Sequence, residues 1–146
     1  EIATAAPGSA DHLAATALGY VRFALAHPGE FNLMFRRERL AADPRLIAAG
    51  AESFGLAAAA VGAFLRRPEP MAEPRTARRV AALWSLAHGV AGLMLAGQFG
   101  PPERAVAHAE AMLPDMVREM FGMPALDRPE DLATIAAVAA AAGDTA

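Results

Sequence analysis

An all-α fold, a helical bundle, is what this sequence predicts, and three observations predict it. Proline and glycine cut the chain into pieces of helical length, and no four-residue alternation of the β-branched strand type occurs. Within the pieces, apolar residues recur every three or four positions, the spacing that lines one side of a helix. One piece, V-A-A-L-W-S-L-A-H-G-V-A-G-L-M-L-A-G from Val80 to Gly97, carries no charge at all. With 146 residues, 55% of them hydrophobic, the chain supports one well-formed core and is short for two, so residues 1–146 are expected to form a single domain.

The elements follow in order. Residues 1–8, E-I-A-T-A-A-P-G, lack the basic start of a secretory signal and are expected to be disordered. Opening on Glu1, the chain reads as a piece of a longer protein. Ser9 or Asp11 caps a helix that runs to about His27, where Pro28 disfavours helical geometry in the residue before it. Leu13, Ala17, Tyr20, Ala24 and His27 form its stripe. Pro28 then opens a short helix through Phe31, Met34 and Phe35, and R-R-E-R from Arg36 to Arg39 reads as a solvated edge. Asp43 followed by Pro44, a capping side chain and then a residue with φ already helical, starts a helix to about Arg67. Its two stripes, Ile47, Gly50, Phe54, Ala58, Val61 and Leu65, and Leu46, Ser53, Ala57 and Phe64, leave little polar surface.

P-E-P-M-A-E-P, Pro68 to Pro74, is a stiff connection, and the next helix spans about Arg75 to Phe99. One side of that helix carries Trp84, His88 and Gly92; the other carries Leu83, Leu86, Val90, Leu93 and Gly97, so it is expected to be a central helix buried all round. Its charge-free run would span roughly 27 Å, close to the ~30 Å of a bilayer core. Its many Ala and Gly residues insert weakly, however, and no other segment looks similar, so no membrane partner is expected. After F-G-P-P, Phe99 to Pro102, a helix from Pro102 to Phe121 carries Met112, Met116 and Met120 beside Val106, Ala109 and Leu113; Pro114 should kink or split it. A last, Ala-rich helix from Asp127 to Ala142 has little bulk to bury and is expected to fray or detach.

Composition excludes several functions. Thirteen basic against 16 acidic residues give a net charge of −3 with no dense basic block, so this stretch by itself should bind nucleic acid poorly. The absence of cysteine removes disulfides, thiolate metal sites and cysteine nucleophiles, and permits a reducing, cytoplasmic setting. Ser53 in A-E-S-F-G lacks the first glycine of a nucleophile elbow and falls inside a helix. His12, His27, His88 and His108 are dispersed without a ligating partner at i+4, and glycine-rich phosphate loops are missing. No catalysis, metal or cofactor is therefore expected. Arg75, Arg78 and Arg79 open their helix where its dipole disfavours cations, which calls for an acidic neighbour such as Glu69 or Glu73.

G-Y-V-R-F-A-L-A-H-P-G-E-F-N-L-M-F, Gly19 to Phe35, followed by A-L-W-S-L-A-H-G-V-A-G-L, Ala82 to Leu93, resembles the C-terminal domain of TetR-family transcriptional regulators. It is most similar to the subgroup named for a Trp, a His and a Gly in one helix, here Trp84, His88 and Gly89. The resemblance covers Ser9 to Phe121, and the helix over 127–142 departs from it. It implies a TetR-type effector-binding and dimerisation domain, a homodimer in the cytoplasm, whose N-terminal helix-turn-helix domain is absent from this chain and would alone contact operator DNA. The effector would be a small apolar or amphipathic molecule. Tyr20, Met34, Phe35, Phe54, Val61, Phe64, Trp84 and His88 are the apolar and aromatic residues able to wall its cavity. Each also suits plain core packing, His88 with one ring nitrogen on a neighbouring carbonyl or hydroxyl. The resemblance pairs the helices Arg75 to Phe99 and Pro102 to Phe121 across a dimer, which assigns Val90, Leu93, Gly97, Val106, Ala109, Met112, Leu113, Met116 and Met120 to the interface. The alternative is a purely structural helical dimerisation module without a pocket.

Overall fold

A computed structural model describes residues 5–34 and 44–123. Phe35, the Arg36 to Arg39 edge and the helix expected over 127–142 lie outside the described residues. Among them are five α-helices: α1 (Ala10–Ala26), α2 (Pro28–Met34), α3 (Pro44–Leu65), α4 (Pro74–Leu95) and α5 (Ala105–Met120), the last preceded by a 3-10 turn at Pro102–Arg104. The chain is all-α, as its punctuation predicts.

Ser9 starts α1 by accepting the His12 N–H at 3.0 Å, satisfying a donor that the first turn leaves without a partner. Residues 5–8, expected to belong to a disordered end, form a turn closed by Ser9 N–H on the Ala6 carbonyl, with the Gly8 backbone against Ala63. α1 ends at His27, which leaves helical geometry (φ −130°, ψ 59°) ahead of Pro28. The inward residues Leu13, Ala14, Ala17, Val21 and Ala24 are all buried.

This helix is the centre of the bundle, packing against α2, α3, α4 and α5. That corrects the expectation for Val80 to Gly97. In α4, Thr76, Val80, Leu83, Ala87, Val90, Ala91 and Met94 face the core, while Ala81, Ser85, Gly89 and Leu93 are exposed. A charge-free helix is not thereby buried all round. Small side chains on its second face have little apolar area to remove from water, so the hydrophobic drive there is weak. The alanines of α1, by contrast, let four neighbours approach closely. Among the described residues, the helix apolar enough by composition to span a bilayer is also another one, the Ile47–Leu65 stretch of α3, with a mean hydropathy of 1.5.

α3 buries mainly its second half, through Ala57, Ala60 and Val61; Ile47 and Leu56 are about 60% exposed, at 59% and 61%. Its end is closed by Arg67 N–H on the Gly62 carbonyl at 2.8 Å, with Arg66 in left-handed geometry (φ 55°). A Cβ at Gly62 would lie 2.8 Å from the Arg67 carbonyl oxygen, so this turn requires glycine. At the end of α4, Gly97 takes φ 72°; its N–H reaches Met94 O and the Gln98 N–H reaches Leu93 O, both at 2.9 Å. This is the Schellman closure, in which a left-handed residue satisfies the last carbonyls of a helix.

α5 runs antiparallel to α1, and ion pairs mark both ends: Asp11 with Arg118 at 2.7 Å, and Arg22 with Glu110. Arg118 also reaches the buried Asp115 at 3.2 Å, giving that carboxylate a charge-assisted partner. Pro114 sits inside α5 without splitting it. The core centres on Leu13, Val21, Val61, Val80, Leu83, Met94, Leu113 and Val117.

Four residues assigned to the partner-facing seam belong to that core instead. Val90, Ala109, Met112 and Leu113 are at most 3% exposed within a single chain. Helical spacing puts them on the same stripes as residues that meet α1, and α1 claims that side. Leu93 and Val106, at 44% and 43%, and Gly97 are exposed; Met116 and Met120 are half-buried.

Candidate ligand pocket

One side of α1 carries His12, Thr16, Tyr20 and Phe23, a stripe offset by one residue from the core-facing Leu13, Ala17, Val21 and Ala24. Facing it, α3 presents Ala49, Ser53, Leu56, Ala57 and Ala60, and α4 presents Leu83, Trp84 and Ala87. The small alanines interspersed on α3 and α4 leave space between these walls that the rings and leucines do not fill. The result is a cavity of about 440 Å³, lined also by Met34 of α2. That volume lies within the range of pockets that hold drug-sized ligands.

Behind the pocket stands a column of rings. His88 stacks on Phe31 with ring centroids 5.0 Å apart and on Trp84 at 6.0 Å. Phe54 meets Trp84 edge-on at 5.7 Å, and Phe31 meets Tyr20 edge-on at 6.0 Å. These are the offset and T-shaped arrangements that ring quadrupoles favour. The Tyr20 hydroxyl and His88 Nδ1 share a hydrogen bond of 3.0 Å that ties α1 to α4. Burial pushes the Tyr20 phenol up to about 12 and holds His88 below its ordinary value, because both charged forms lose hydration there. At neutral pH the pair is uncharged, a polar joint inside an apolar wall.

Of the residues named from sequence as cavity walls, Tyr20, Met34 and Trp84 line the pocket. His88 stands one layer behind and orients Tyr20. Phe54 supports Trp84 from outside, Val61 is wholly buried in the core, and Phe64 packs edge-on against Phe121 at 5.5 Å. None of those four is in the lining. Sequence reasoning missed His12, Thr16, Phe23, Glu52, Leu56 and the alanines. The signal for the α1 members was present, since they recur at helical spacing from Tyr20. Thr16 donates its hydroxyl to the His12 carbonyl at 2.8 Å, so its donor is committed to its own helix, whereas His12 Nδ1 is buried with no hydrogen-bond partner among the described residues.

Besides Tyr20, the titratable residues in the lining are His12 and Glu52; His108, Glu73 and Arg79 lie elsewhere. His108 Nδ1–H donates to the Phe99 carbonyl at 2.7 Å and fastens the 97–101 turn to α5. Glu73, expected to offset the arginines of α4, lies 3.5 Å from Arg67 and accepts from Thr76 instead; Arg79 rests over the Phe121 ring, 5.2 Å from its centroid. Among the described residues, no group of three or more His, Asp or Glu side chains is placed to hold a metal.

Comparison with known families matches residues 13–120 to the tetracyclin repressor-like C-terminal domain. The chain belongs to that family. The match runs from the first core residue of α1 to the last residue of α5, and so takes in all of the pocket lining except His12. No curated protein and no solved structure matches the chain. The family is one of soluble transcriptional regulators rather than of enzymes, and its members typically dimerise and regulate DNA binding.

Proposed function

We propose that this domain binds a small apolar or amphipathic effector and dimerises, so that effector binding changes the operator affinity of a helix-turn-helix domain N-terminal to it. Within the family, Trp84, His88 and Gly89 in one helix support a reading as a member of the Trp-His-Gly subgroup. The observation that carries the reading is the 440 Å³ apolar cavity between α1, α3 and α4. A module serving dimerisation alone has no reason to leave such a space open, since filling it with side chains would add stability.

α4 supplies the coupling. One side of it, at Leu83, Trp84 and Ala87, walls the pocket, while Gly89, Leu93 and Gly97 lie exposed on the other. The exposed Leu93 and Val106, with the half-buried Met116 and Met120, form the remaining candidate seam for a second copy. Small residues beside them permit close helix approach. An effector that binds one arrangement of α4 better than another shifts the population of dimer geometries by its differential affinity and by nothing else. Half-sites near ~34 Å apart on DNA make a small pivot sufficient to lose operator fit.

Two measurements test the proposal. Light scattering should give about twice the 15.1 kDa chain mass at micromolar concentration; a monomer contradicts the dimer. Apolar small molecules should raise the melting temperature, by about 2.7 kcal/mol of stabilisation at a hundredfold excess over Kd. A broad apolar library without any shift leaves only the dimerisation module.

A further inference from the structure

The effector-pocket reading leaves open what kind of molecule the pocket accepts, and the charges along its wall bear on that. Among the described residues, its lining contains a carboxylate, Glu52 on α3, and neither arginine nor lysine. Glu52 makes no ion pair among the described residues, although arginines elsewhere pair with Asp11, Glu73, Glu110 and Asp115. Glu52 is exposed although it lines the cavity, which puts it on the solvent side of the lining.

Tyr20, Phe23 and Trp84 line the same cavity as Glu52. A cation entering it meets a counter-charge and the negative faces of aromatic rings. An anion meets Glu52 and, among the described residues, no opposite charge in the lining to offset its lost hydration. The buried His12 Nδ1 offers a hydrogen bond to a polar group on the ligand.

We propose that the pocket selects lipophilic cations, an aromatic or aliphatic body bearing one ammonium-type charge, with Glu52 as the counter-charge. The inference rests on the effector-pocket reading, and the test separates the two. The chain and its Glu52→Gln variant are titrated calorimetrically with three biphenyl probes: (4-phenylbenzyl)trimethylammonium, 4-phenylbenzyl alcohol and biphenyl-4-acetate. Because Glu52 is exposed, the variant should fold, and an unchanged melting temperature confirms that it does.

The cation should bind about fivefold more tightly than the alcohol, and the carboxylate most weakly; Glu52→Gln should weaken the cation about fivefold and leave the alcohol unchanged. Equal binding of cation and alcohol, a preference for the carboxylate, or a cation affinity indifferent to Glu52→Gln overturns the charge selection while leaving the apolar pocket standing. No binding by any of the three overturns the pocket reading and the charge selection with it.

Discussion

Ala57 lies 5% exposed on α3 and lines the pocket, so Ala57→Leu asks whether the space beside it is open. The change adds three carbons. At ~0.8 kcal/mol per buried CH₂ their transfer from water contributes roughly 2 kcal/mol. Fixing a leucine rotamer costs about 0.5–1 kcal/mol. A cavity of about 440 Å³ accommodates the added atoms without displacing a neighbour, and a helical site imposes no propensity penalty beyond a few tenths of a kcal/mol. The net expectation is a gain of about 1 kcal/mol, or a rise in melting temperature of roughly 4 °C for a domain of this size. Thermal unfolding followed by circular dichroism at 222 nm reads it directly. A filled interior gives the opposite sign, because forcing three carbons into a packed core costs about 1–3 kcal/mol. A fall of several degrees would therefore refute the open pocket, whatever ligands later prove to bind.

Further expectations follow from the same contacts. Leu113, wholly buried against α1, should cost about 2–5 kcal/mol when changed to alanine, enough to lower the melting temperature by ten degrees or more; a loss under 1 kcal/mol would remove it from the core. Leu93→Glu should yield monomers in light scattering with little change in helicity, since this side chain is 44% exposed within the single chain; an unaltered dimer moves the seam elsewhere. The Tyr20 and His88 pair should give the domain a pH signature. Because His88 titrates below its ordinary value when folded, protons bind the unfolded chain first, and stability should decline as pH drops below about 6.5. The Tyr20 phenol, raised to about 12, works the other way, with stability lost as pH climbs above about 10. His88→Gln should flatten the acid limb, measured by urea unfolding from pH 5 to 8; an identical slope would assign that limb to other groups.

How much of this was legible in the sequence varies by residue. Ser9, Pro28 and Pro44 mark helix starts because capping oxygens and fixed φ angles act locally, and each starts or caps a helix in the structure; Pro74, read as the end of the stiff connection, is the first residue of α4. Burial did not follow from stripes alone. Val90, Met112 and Leu113 suit either a partner's surface or the chain's own core, and which they meet depends on α1, a helix whose alanines carry no strong hydrophobic signature. The pocket was half visible. Tyr20, Met34 and Trp84 stood out as large side chains, but a cavity is made equally by what is small, and Ala57, Ala60 and Ala87 look like ordinary helix formers until an aromatic wall is placed opposite them. The sequence left His88 either as a cavity wall or as a packed histidine with one ring nitrogen on a neighbouring carbonyl or hydroxyl; that it is half-buried and shares a hydrogen bond with Tyr20, 68 residues away, is a tertiary fact.

Trp84 is the only tryptophan and lines the pocket, so its fluorescence reports occupancy without a label. Titrating the chain and its Ala57→Leu variant with an apolar biphenyl probe tests the central claim most directly. The account predicts a saturable change in Trp84 emission at one probe per chain, strongly weakened in Ala57→Leu while the variant's melting temperature holds or rises. A saturable response of equal affinity in both proteins, or none in either, would contradict it.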